Sequence, residues 1–68
     1  MKKEIKIGGM HCSHCVRHVE EALEELGAAV TVNLDKENAV LEGDNITNDA
    51  IIDALEDFGY EVKEIIDL

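Results

Sequence analysis

Cys12 and Cys15 are the residues of this 68-residue chain best suited to chemistry: two thiols with two residues between them, flanked by His11 and His14. They are its only cysteines. A pair three positions apart is a poor staple for a fold, and a reducing compartment keeps such thiols reduced, so they read as chemistry rather than scaffolding. The thiolate is the metal ligand, yet a free thiol with a pKa near ~8.5 is only a few per cent ionised at neutral pH. Thiolates select soft ions, Cu(I) and zinc among them. A closed structural zinc site takes four ligands. This chain offers one cysteine pair, and its neighbours His11 and His14 lie on the same tight loop, where all four donors would not converge. The inventory therefore suits low-coordinate Cu(I) better than zinc, and it leaves open whether His11 or His14 touches the ion.

Such a pair has to be positioned, and the flanking sequence says by what. Lys3 to Gly8 alternates, with Ile5 and Ile7 on one face and charged residues on the other, as a half-buried strand does, and Gly8-Gly9 ends it. From about Ser13 the period changes: Val16, Val19, Leu23 and Leu26 share one face of a helix, Glu20, Glu21, Glu24 and Glu25 fall mainly on its wet side, and Gly27 supplies a left-handed stop. Cys15 then falls in the first helical turn and Cys12 just before it. There, unpaired N–H groups and the positive end of the helix dipole favour a negative sulfur by roughly 0.3–1 kcal/mol. At ~1.4 kcal/mol per pKa unit this is under one unit. A metal's own charge does the rest, because a coordinating thiol is deprotonated outright.

Further along, Val30, Val32 and Leu34 alternate again, Asp35 to Asn38 reads as a polar hairpin turn, and Ala39 to Leu41 begins a return strand. Thr47 can cap a second helix carrying Ile51, Leu55 and Phe58 on one stripe; Gly59 closes it. Tyr60 to Ile66 alternates as a last strand with Val62 and Ile66 facing inward. The order strand, helix, strand, strand, helix, strand predicts an α+β, ferredoxin-like βαββαβ sandwich, two helices on one face of a four-stranded antiparallel sheet whose other face stays wet.

The chain is expected to be one domain over residues 1–68, with no linker, repeat or proline. No apolar run approaches the ~20 residues that cross a bilayer, and the start at Met1 leads into strand alternation rather than a secretory core. These features predict a cytoplasmic protein with no membrane insertion. Six Lys and Arg against sixteen Asp and Glu give a net charge of -10, without a basic stripe or aromatic platform. Nucleic acid is excluded as an expected partner. Acidity of this kind most often means solubility.

The run Gly9-Met10-His11-Cys12-Ser13-His14-Cys15 resembles the Gly-Met-x-Cys-x-x-Cys signature of heavy-metal-associated domains. The Val16 to Leu26 helix, Val30 to Leu34 and the Phe58-Gly59-Tyr60 turn resemble the matching family segments, so the likeness spans the chain. His14 inside the pair and Tyr60 after the second helix make it most similar to bacterial CopZ-type copper chaperones. The resemblance implies a non-enzymatic carrier that binds Cu(I) through Cys12 and Cys15 and passes it by stepwise thiolate exchange to the metal-binding domain of a copper-transporting P-type ATPase. It further implies that Met10 points inward as an anchor beneath the loop and that Tyr60 shields the sulfurs from the facing loop. Gly9 helps to hold the loop, and His14 is either solvated or a neighbour of the sulfurs. His18 has no visible partner and reads as surface.

Other readings stay in view. One is an excised N-terminal domain of a P-type ATPase; another is a carrier for Hg(II), Zn(II) or Cd(II); a third is a thiol-redox sensor using a reversible Cys12–Cys15 disulfide. One cysteine pair leaves coordination positions open, which also permits a metal-bridged homodimer.

Overall fold

The computed structural model describes residues 2–11 and 13–68. The elements run β1 (Lys2–Gly8), α1 (Ser13–Glu24), β2 (Ala29–Asn33), β3 (Asn38–Glu42), α2 (Asn48–Asp57) and β4 (Glu61–Asp67). All strand pairs are antiparallel, in the order β2-β3-β1-β4. Helix α1 lies against β2 and α2, and α2 lies against β4. This is the ferredoxin-like sandwich that the change of hydrophobic period along the sequence predicts.

Strand β1 is interior, and its alternation decides which way the sheet faces. Ile5 and Ile7 are fully buried against the helices, while Lys2 and Lys6 point to the open side. Opposite them in β3, Leu41 and Ala39 are buried as well. The helices close the core with Val19, Ala22 and Leu23 from α1 and Ile51 and Leu55 from α2. Each large aliphatic group so buried stabilises the fold by about 1.5–3 kcal/mol. The open side carries Lys2, Glu4, Lys6, Asn38 and Glu42, with Asn38 Nδ2 donating to Glu4 Oε2 at 2.6 Å.

Both helices are ended by glycine in the left-handed region, Gly27 at φ +86° and Gly59 at φ +88°. The second ending is the consequential one. The Gly59 N–H donates to Glu56 O at 2.9 Å and the Tyr60 N–H to Leu55 O at 3.1 Å. These paired bonds form a Schellman motif, which brings the residue after the glycine back against the residue five positions earlier. Tyr60 accordingly joins Leu55 in the core.

Two sequence expectations are corrected. Phe58 does not complete the buried stripe of α2; it is the C-cap residue, and the reversal that turns Tyr60 inward leaves it 45% exposed. Ile66 does not face the helices either. The β1–β4 register shifts between Lys6 and Ile7, so that Lys6 pairs with Glu64 but Ile7 with Val62, and Lys63 is the extra residue of a bulge. Val62 and Ile65 therefore pack on the core, three positions apart instead of four, and Ile66 pairs with Glu4 on the open side.

Candidate metal-binding loop

The loop from β1 to α1 begins at Gly9, whose φ of +91° is a conformation that a side chain would strain. That turn redirects the chain so that Met10 enters the core, 2% exposed, in the apolar cluster that also holds Ile7 and Tyr60. An unbranched thioether fills such an irregular corner well. His11 lies on the outside of the loop, exposed, as do Ser13 and His14 at the start of α1. Cys12, read from the sequence as a metal ligand, lies outside the described residues. Cys15 is the third residue of α1, half-buried and packed against the core edge. It therefore sits in the turn whose backbone N–H groups have no partners within the helix, where a thiolate gains from the helix dipole.

The wall facing this loop comes from the α2–β4 turn. Tyr60 is 8% exposed, and its Cδ1 lies 3.9 Å from where a Cβ on Gly9 would stand, so the ring flanks the loop at its first residue. Its hydroxyl is 3.2 Å from Nδ1 of His18. The His18 ring is also stacked on Phe58, with centroids 5.6 Å apart and 25° between the planes. Beside the loop, a Cβ on Gly8 would come within 2.8 Å of Lys63 Cε, because the bulge residue lays its aliphatic stem over that glycine.

The structure thus brings Gly9, Met10, Cys15 and Tyr60 to one end of the sandwich, with His14 on the exposed side of the same turn. His18 is on the surface, as its sequence reading has it, but it is not without partners. His18 stands three positions after Cys15, and so one helical turn along a similar face. Phe58 and Tyr60 meet it from either side of Gly59. The spacing from Cys15 was legible in the sequence; the direction of the α2–β4 turn that supplies the partners was not.

The heavy-metal-associated domain model matches residues 4–61. A protein named copper chaperone CopZ, from Enterococcus hirae, is 38% identical over 96% of this chain and 100% of its own length. A probable copper-exporting P-type ATPase from Archaeoglobus fulgidus is 41% identical over 87% of this chain, which corresponds to 7% of that larger protein. Among solved structures, a heavy metal binding protein from Thermotoga maritima superposes with a TM-score of 0.85 at 26% identity, covering 100% of both chains. No helix among the described residues is long and apolar enough to cross a membrane. On the family match across most of its length, and on relatives of the same size, the chain belongs to the heavy-metal-associated domain family.

Proposed function

We propose that this protein is a cytoplasmic copper carrier, a single binding domain over residues 1–68 and not an enzyme. It holds Cu(I) between the thiolates of Cys12 and Cys15 and yields it by ligand exchange to the metal-binding domain of a copper-transporting P-type ATPase. The observation that carries this reading is the setting of Cys15. It lies half-buried in the first turn of α1, where a negative sulfur is favoured, on a loop anchored from inside by Met10 and exposed at His11, Ser13 and His14. Such a site holds an ion without enclosing it, and transfer requires that an incoming thiolate reach the metal. Relatives of equal length named as copper chaperones support the same reading. The domain of similar sequence in a probable copper-exporting ATPase supports a partner that presents a comparable loop.

The deciding measurement is competition with a calibrated Cu(I) chelator under reducing conditions, with a parallel Zn(II) arm, on the parent and on the Cys12→Ser, Cys15→Ser double variant. The parent is expected to hold Cu(I) at least 100-fold more tightly than the double variant, about 2.7 kcal/mol or more. Both proteins should give the same far-ultraviolet circular dichroism. Equal affinity in the two would remove the cysteines from the site, and tighter Zn(II) than Cu(I) binding would make the protein a zinc carrier.

A further inference from the structure

The contacts of His18 join three parts of the molecule that the metal loop depends on. Its ring plane is set by stacking on Phe58, and its Nδ1 direction is set by the hydroxyl of Tyr60 at 3.2 Å. Tyr60 in turn lies along Gly9, the residue that opens the loop, and Cys15 is one turn ahead of His18 on α1. A continuous line of contacts therefore runs from Phe58 through His18 and Tyr60 to Gly9, crossing from α2 to α1 and back to the loop.

We propose that His18 is a positioning residue for metal transfer: its hydrogen bond to Tyr60 fixes the phenol ring against Gly9 and so steadies the start of the metal loop. The proposal rests on the Cu(I) carrier reading. The bond forms with either imidazole tautomer, since a Nε2-protonated ring accepts from the phenol hydroxyl and a Nδ1-protonated ring donates to the phenol oxygen. Two contacts from residues on either side of Gly59 leave the His18 ring little rotational freedom. Tyr60 is thereby held on both sides, by the core along its ring and by His18 at its tip. Ligand exchange requires a sulfur to move toward an incoming donor, and a loop opens more often when the groups that pin it are removed. Release of the bond should therefore speed transfer without adding or removing a metal ligand.

Tyr60 is the only tyrosine and there is no tryptophan, so the tyrosine emission of this protein reports on Tyr60 alone. The test uses His18→Phe, which keeps an aromatic ring to stack on Phe58 but removes the nitrogen, and Tyr60→Phe, which removes only the hydroxyl. His18→Asn places a polar atom near the position of Nδ1 as the conservative rescue. In the metal-free protein, His18→Phe is expected to raise the Tyr60 emission by releasing its hydroxyl from the imidazole, and His18→Asn to return it toward the parent. With Cu(I) loaded, His18→Phe and Tyr60→Phe should each speed transfer to bathocuproine disulfonate about 2- to 10-fold, the range of one hydrogen bond. The two together should be no faster than either alone, because they remove the same contact. Unchanged emission in His18→Phe, or multiplied rates in the double variant, would overturn the proposal. If His18→Phe loses its fold, the rates of Tyr60→Phe and His18→Asn decide: an unchanged rate in Tyr60→Phe overturns the proposal, and a raised rate there with a parent-like rate in His18→Asn supports it. A parent that takes up no Cu(I) would overturn the carrier reading and the transfer role with it, while the emission arm would still report whether His18 holds Tyr60.

Discussion

Strand β1 has Lys3 near one end and Gly8-Gly9 at the other, and the two ends of the sandwich are closed in different ways. At the Lys3 end the ammonium group is carried into the edge of the core, where Nζ donates to Asn48 Oδ1 at 2.6 Å and stands 3.3 Å from Asp67 Oδ1. Thr47 caps α2 beside it. Buried polar atoms there have partners, because an unpaired ammonium in an apolar setting is expensive. At the Gly9 end no charge is buried among the described residues. Met10 and Tyr60 fill the interior, Lys63 lays its stem over Gly8, and exposed residues surround the cysteine turn. A polar closure satisfied from within has nothing left to offer an ion. An apolar closure with a sulfur at its rim keeps its donor available. Damage at the first end should therefore appear as lost stability, and damage at the second as altered metal handling once packing is preserved.

The comparison is broken most severely at Tyr60, which belongs to both roles. Tyr60→Ala removes a ring that is 8% exposed and leaves a cavity beside Met10 and Leu55, which should cost about 3 kcal/mol. For a domain of this size that lowers Tm by on the order of 15 °C. Phe58→Ala, two residues earlier, removes a ring that is 45% exposed and stacked only at the surface, and should cost about 1 kcal/mol. Thermal melts of the two metal-free variants check the difference. Equal losses would mean that the Schellman turn does not divide the two aromatics between surface and core.

Lys3 gives the next largest effect, and it separates stem from charge. Lys3→Ala removes three buried methylenes and should cost about 2 kcal/mol, while Lys3→Met keeps most of that volume and should fall within about 1 kcal/mol of the parent. The ion pair adds little to this, since Asp67 is 80% exposed and screened by water. Urea denaturation measures both variants. Cu(I) transfer to a chelator should keep the parent's rate in each; a changed rate would mean that the two ends communicate through β1.

Much of this was legible from residue order. The switch from alternation at Ile5 and Ile7 to helical spacing at Val19 and Leu23 fixes the elements, and Gly27, Thr47 and Gly59 mark helix boundaries because each residue type satisfies a specific backbone requirement. The departures have separate causes. Ile66 was misplaced because a bulge shifts side-chain parity by one without leaving a glycine or proline to announce it. Phe58 continued the stripe of α2 in the sequence, yet the stripe ends where the helix does, one residue before the C-cap. Lys3 looked like an ordinary strand charge, although its parity with Ile5 and Ile7 already placed it on the buried face. The Cys-x-x-Cys pair was the plainest signal of all, being defined by residue type and spacing alone. The partners of His18 were hidden because they depend on a turn some 40 residues away, and no local pattern carries that information.

The smallest effect sharpens the contrast at the capped end. The Thr47 side-chain oxygen accepts from the Ala50 N–H at 3.2 Å, satisfying one of the amide groups that the start of α2 leaves without a helical partner, and Asp49 in the first turn adds a favourable charge for the helix dipole. Thr47→Ala removes that acceptor and should cost about 1 kcal/mol, whereas Thr47→Asp or Thr47→Ser keeps an acceptor and should stay within a few tenths of a kcal/mol of the parent. Thr47 is exposed, so no cavity forms and the cap is isolated from packing. The loss should appear in urea melts as a lower midpoint with an unchanged slope. Because α2 runs from this end to the Tyr60 turn, a cap that merely stabilises will leave Cu(I) transfer at the parent's rate. A cap variant that speeds transfer would show that fraying at the start of α2 reaches Tyr60, and the two ends would then be one cooperative unit.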